Sequence, residues 1–348
     1  MRLRLLFFVL AITICVAPGH AENYFLKVNA DRTALSLQSS AGDPGSGAID
    51  ITLLTVGQLP PDGHGVQRID DADLWWDDSL GIYQLWAVVR NAGGYSHSST
   101  YYAWSPSLFS WDLRDIQECY WTTSPDPYGL SLQSDITVLK TSGGEYLMWY
   151  SVYQASGWKT QIWHRTSTDG ISWSAPALVL SSGNLEDWNM PTVVNMTSGP
   201  CRIYLSHQQT DAPDPFYTFK GDADPTTGVV SNLAQITTYM EFMIGAYPVG
   251  NRYGSAEHAR YVRRYLDMAW HLIELRSFDE GATWTEEDLG LYSNTNYEII
   301  GVIESDPPAT PTPAPVPSAS TAGLALLAMA IGGLLIRGRT AKNCLRDN

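Results

Sequence analysis

The sequence predicts an all-β chain folded as a five-bladed β-propeller, and three observations carry that prediction. Short runs rich in β-branched and aromatic residues dominate the interior, among them "IYQLWAVV", "EYLMWYSVY" and "CRIYLSH". An apolar strand and turn precede three of them in the same plan, as "DADLWWDDSLG", "SDITVLKTSGG" and "NMPTVVNMTSG". A turn reading Ser, Asp, Gly and Trp at fixed spacing occurs as "RTSTDGISW" and "RSFDEGATW", with a worn copy in "AWSPSLFSW". A reactive group is seldom needed three times, whereas a structural device is.

The ends read as addresses. Residues 1–21, "MRLRLLFFVLAITICVAPGHA", have two arginines, a short apolar run and a small-residue exit, the pattern of a signal peptide. Residues 22–305 are assigned to the propeller and 306–318 to a Pro-rich linker that cannot pack a core. Residues 319–336 carry no charge and are just long enough to span a bilayer. The basic segment 337–348 would then stay cytoplasmic. The expected location is therefore outside the inner membrane, in the cell envelope or beyond it.

Within 22–305, Leu74, Val138 and Val193 mark equivalent inner strands. Repeat units of roughly 50–65 residues with four short strands fit propeller blades. Blades are expected to begin near 68, 132, 187 and 255. Residues 22–60 with "NYEIIGVIE" would make a fifth, closed by strands from both termini; a count of six stays open. Cys119 and Cys201 either pair or stay as buried thiols.

The net charge of −15 argues against nucleic acid, since phosphate binding needs a basic face. No His, Cys, Asp or Glu cluster has transition-metal spacing, so no metal or cofactor is expected, with calcium in the central channel left open. No nucleophile elbow, P-loop or dinucleotide fingerprint occurs.

Three resemblances follow from these residues. The Ser-x-Asp-Gly turns resemble the Asp-boxes of sialidases and other propellers, which implies a structural role for Asp169, Asp279, Trp173 and Trp284 at the rim. "VPSASTAGLALLAMAIGGLLIRGR" resembles a PEP-CTERM sorting tail without its Glu-Pro, which implies a sorting transpeptidase as partner or else a plain membrane anchor. "DADLWWDDSLGIYQLWAV" resembles the inner strand of five-bladed glycosidases of the arabinanase/β-xylosidase and invertase-like families.

That last resemblance implies a carbohydrate partner, with Asp71 as base and Asp135 as modulator. Asn189 stands where those families have their acid, so Glu186, Asp187 or Glu257 would have to replace it. An apolar alignment of inner strands places His258 in the same column as Asp71 and Asp135, and Glu257 one place earlier, beside Asp70 and Asn189. Trp75 and Trp188 are candidate sugar-stacking residues, with Asn189, His258 and Arg68 as polar contacts. A non-catalytic glycan- or protein-binding propeller is the alternative. A sialidase is the weaker third reading, because "VQRIDDADL" has Arg68 without the expected flanking residues.

Overall fold

The computed structural model describes residues 23–39, 49–59, 67–91, 97–111, 117–123, 132–154, 159–181, 186–209, 216–248, 256–292 and 297–304. The leader, the linker, the apolar C-terminal stretch and the basic tail lie outside them. Among the described residues no helix is long and apolar enough to cross a membrane.

The chain opens with β1 (Asn23–Asn29), β2 (Ala34–Ser39) and β3 (Ile51–Thr55). The first complete blade is β4 (Gln67–Asp77), β5 (Ile82–Asn91), β6 (His97–Ser105) and β7 (Gln117–Thr123). The second is β8 (Leu132–Lys140), β9 (Tyr146–Gln154), β10 (Lys159–Ser167) and β11 (Ala177–Leu180). The third is β12 (Glu186–Val194), β13 (Cys201–Gln209), β14 (Tyr217–Ala223) and β15 (Val230–Gln235). The fourth is β16 (Glu241–Pro248), β17 (His258–Leu266), β18 (Ala269–Ser277) and β19 (Thr285–Leu291). Finally β20 (Tyr297–Glu304) pairs antiparallel with β1, so the fifth blade holds both ends of the domain and closes the ring.

One expected boundary moves. The fourth blade begins at Glu241, not near 255, and β17 is its second strand. In the second blade the Asp turn follows the third strand, as does its worn copy in the first. Counting back three strands from Ser277 therefore reaches β16, a signal that the apolar alignment overrode.

Strand periodicity explains the wealth of aromatics. On β9, Tyr146, Met148, Tyr150 and Val152 pack into a core shared with Trp75, Trp86 and Tyr102 of the first blade. The alternate residues Leu147 and Trp149 pack the other way, against Trp188, Ile203 and Leu205 of the third. Each sheet is thus buried on both faces. Five such clusters fill the five gaps between blades. Burying one such side chain contributes about 1.5–3 kcal/mol.

A second device ties the first blade to the second and the second to the third. Trp86 on β5 donates its indole N–H to Gly170 O at 2.8 Å, in the third-to-fourth-strand turn of the second blade. Trp149, at the same place on β9, donates to Gly228 O at 3.1 Å in the third blade. Gly228 has φ +72, and a Cβ there would lie 2.2 Å from the His164 ring. Only glycine fits that contact.

The Asp turns behave as expected. Asp169 Oδ1 accepts the N–H groups of Ile171 and Ser172, and Asp279 Oδ1 accepts those of Ala282 and Thr283. The third blade uses the same geometry in "DPTTG", where Asp224 accepts from Thr226 and Thr227 at 2.8 Å, without the flanking Ser or Trp. Cys201 is a free, buried thiol.

Candidate functional site

All five inner strands, β4, β8, β12, β16 and β20, bulge at their middle or near their start. The extra residue is Asp70 on β4, Asp135 on β8, Ile244 on β16 and Ile300 on β20, and the β12 bulge holds Met190 and Pro191. A bulge turns a side chain out of the alternating pattern and bends the strand. Here the bulged residues all line one axial cavity of about 170 Å³. Asp135 and Met190 take left-handed backbone angles, φ 36 and 52, which non-glycine residues rarely hold away from functional or constrained places.

This shared bulge corrects the sequence alignment by one residue. Asp70, rather than Asp71, is the structural counterpart of Asp135. Asp71 still reaches the cavity, because its Oδ2 accepts the Ile136 N–H across the blade gap at 2.6 Å. Asp73 does the same for Val138 at 2.6 Å. Neighbouring inner strands belong to different sheets, so these carboxyls satisfy N–H groups that no backbone carbonyl serves. Ser206 plays the corresponding part for Met243 N–H at 2.9 Å. Ser151 Oγ accepts the Met190 N–H at 3.2 Å and donates to Asp135 Oδ2 at 3.0 Å.

The three central aspartates differ in their partners. Asp70 pairs with Arg90 at 2.8 Å and Arg32 at 3.5 Å. Burial raises its pKa, and the two guanidiniums pull it back. Asp71 and Asp135 form no ion pair among the described residues. Burial and then the neighbouring Asp135 charge push Asp71 well above the usual carboxylate range. Burial raises Asp135 too, with the Ser151 hydroxyl acting against it. Two adjacent half-buried carboxyls cannot both ionise cheaply, so the pair titrates as a unit.

Glu298 on β20 faces the same cavity and was not read from the sequence. It is held by Arg32 and by Arg263, the latter at 3.3 Å. Arg32 comes from the β1–β2 turn and also donates to Asp70 O at 2.8 Å, so it joins the fifth blade to the first. No local motif announces this cluster. Its only sequence signal was the assignment of "NYEIIGVIE" to a closing inner strand.

The remaining candidates lie elsewhere. Glu257 sits just before β17, bonded to Arg276 at 3.3 Å, and His258 is fully buried on β17; neither lines the cavity, because β17 is a second strand. Trp75 is 2% exposed and stacks on Trp86 at 5.6 Å, filling the gap between the first and second blades. Trp188 packs on His207 at 4.1 Å in the next gap. Neither ring is available to a sugar. Asn189 ends the regular pairing before the β12 bulge, and neither it nor Arg68 lines the cavity. Asp187 accepts the Thr160 N–H at 2.8 Å, a strut between the second and third blades. Of the arginines weighed for a carboxylate grip, only Arg263 reaches the cavity. No cluster of three metal-type side chains occurs among the described residues.

Fold and cavity together define a five-bladed propeller with an acidic axial site. A scan against protein-family models and a search of curated proteins give no match. Solved structures do match in fold. An α-L-arabinanase from Penicillium chrysogenum complexed with arabinobiose aligns with TM-score 0.50 at 14% identity, over 80% of this chain and 82% of that one. An α-L-arabinofuranosidase from Podospora anserina in complex with cellotriose aligns at 0.44 and 14%, over 68% and 71%. An endo-arabinanase from Bacillus licheniformis aligns at 0.41 and 13%, over 64% and 77%. The chain thus shares its fold, at low identity, with the Penicillium arabinanase.

Proposed function

We propose that the axial cavity takes the terminal ring of a neutral oligosaccharide, with Asp71 as its general base and Asp135 as the neighbour that tunes it. The observation that carries this reading is two adjacent half-buried carboxyls that form no ion pair among the described residues, facing a cavity that a ring can enter. A cavity of ~150 Å³ accepts a benzene-sized ring, so about 170 Å³ suits one sugar residue rather than a chain. Asp71 ionises only at raised pH, a threshold set by burial first and by Asp135 beside it second; once ionised, Asp71 can take a proton from an attacking water.

The third blade brings Met190, Pro191 and Thr192 to the cavity and, among the described residues, no carboxyl. Leaving-group protonation is then the weak half of the reaction. Substrates with a good leaving group, such as aryl arabinosides, should turn over far better than arabinobiose. The same observation favours a second reading, a glycan-binding propeller without turnover.

The test is product release from aryl arabinosides, aryl xylosides and arabinobiose by the parent chain and by Asp71→Asn, with calorimetric binding of the sugars alongside. Turnover lost in the variant supports the hydrolytic reading. Saturable binding without turnover supports the second. Neither turnover nor binding across the panel removes both.

A further inference from the structure

A second site lies at the outer part of the gap between the third and fourth blades, apart from the axial cavity, and its argument does not rest on the reading above. Arg260 on β17 is 3% exposed, and its Nε and Nη1 have no hydrogen-bond partner among the described residues. Its guanidinium stands over the Trp284 ring at 4.9 Å and the Tyr204 ring at 5.5 Å. Two aromatic faces hold the cation in place without using its N–H groups. A buried guanidinium left this way costs several kcal/mol unless an anion completes it.

Arg260 lines a cleft of about 570 Å³ together with Arg264, Gln235, Thr237, Tyr239 and Glu286. That volume lies within the roughly 300–1,000 Å³ typical of small-molecule sites and exceeds what an inorganic ion fills. Glu241 does not neutralise Arg260 by contact. Its Oε2 accepts from Arg264 Nε at 2.9 Å, and its Oε1 has no partner among the described residues. Arg264 is further held by Glu286 at 2.6 Å and lies over the half-exposed Tyr239 ring at 4.3 Å. Arg260 and Arg264 face Glu241 and Glu286, so the charges balance in number, but both glutamates contact Arg264 and neither contacts Arg260. Burial, Arg202 and Arg260 all hold Lys220 below its ordinary pKa, with Asp222 and Asp279 opposing them.

We infer that this cleft binds a small organic carboxylate of the sugar-acid type, with Arg260 as the anion-binding residue and Tyr239 as a face for the ligand ring. The planar guanidinium suits a carboxylate. The two glutamates at the margin disfavour a more highly charged phosphate. Polar walls at Gln235 and Thr237 suit hydroxyl groups.

The test is calorimetric titration of the full chain at low ionic strength with glucuronate, glucose and inorganic phosphate. Glucuronate should saturate, glucose should give no binding, and phosphate should bind more weakly. Arg260→Met should weaken glucuronate at least tenfold while the protein melts no lower than the parent, since an uncompensated buried charge is removed. Tyr239→Ala, at an exposed wall, gives a second measure and should weaken glucuronate several-fold. Asp71→Asn should leave glucuronate affinity unchanged, which separates this site from the axial one. Absence of saturation by glucuronate would mean a water-filled gap and overturn the inference. So would equal binding of glucose, tighter binding of phosphate, or unaltered affinity in Arg260→Met or Tyr239→Ala.

Discussion

Asp71 and Asp135 at the axis and Asp169 and Asp279 at the rim are the same side chain in opposite circumstances. The rim carboxyls are exposed and collect N–H groups from their own turns. Those hydrogen bonds, led by Ser172 N–H for Asp169 and Thr283 N–H for Asp279, hold both pKa values down to about 2. The axial carboxyls sit half-buried in the cavity, each beside the other, and loss of water contact drives both upward. The number of N–H donors and the access of water decide which aspartate is a fastener and which keeps a proton that it can exchange. Repetition in the sequence marks the fasteners, while convergence on the axis marks the exchangers.

The largest effect expected from breaking this contrast is on chemistry. Asp71→Asn keeps an oxygen for the Ile136 N–H but no titrating group, so any turnover should fall about 10²–10⁴-fold while the melting temperature at neutral pH holds. A matching loss from Asp169→Asn would erase the distinction between axis and rim. Next in size is Trp149→Ala, which empties an inter-blade core and releases Gly228 from the turn of the third blade. Chemical denaturation should register a loss of about 3–5 kcal/mol. A loss below 1 kcal/mol would show that the blade gaps do not hold the ring.

Two smaller effects concern pH. The axial pair binds protons more tightly folded than unfolded, so its stabilising effect is complete below the ordinary value of 3.8 and drains away as pH rises through the raised values. Melting curves at increasing pH should therefore decline less steeply in Asp71→Asn than in the parent. The rim turns have the opposite sign. Their contribution is full above 3.8 and is lost as pH falls toward about 2. His164, held down to about 4 by burial, adds to the acid side, because the unfolded chain takes up its proton from pH 6.5 downward. Smallest is Asp169→Ala, expected to cost about 1 kcal/mol and to flatten only the acid limb. An unchanged acid limb in that variant would remove the rim turns from the pH response.

Particular residues show how far the sequence could be read. Five blades and the closure of "NYEIIGVIE" onto the N-terminal strands were legible, because repeats and strand periodicity are local properties. The Asp turns were legible for the same reason, although "DPTTG" passed unnoticed without its Ser and Trp. Asp71 and Asp135 line one cavity, yet they do not occupy equivalent positions, since a bulge adds a residue without any compositional mark. Glu257 and His258 failed because a strand was miscounted. Trp75 and Trp188 failed because a tryptophan looks alike whether it faces a sugar or a neighbouring sheet.

By itself the sequence determined what alternation, turn chemistry and repetition encode: β-strands with two apolar faces, grouped in fours, each group needing neighbours to cover it. Only the tertiary structure decided which carboxyls meet. The bulges that aim Asp70 and Asp135 inward, the Arg32–Glu298–Arg263 clasp and the exposed-to-nothing guanidinium of Arg260 all join residues from different blades. Their properties arise from distance and lost water, which a linear order of residues does not contain.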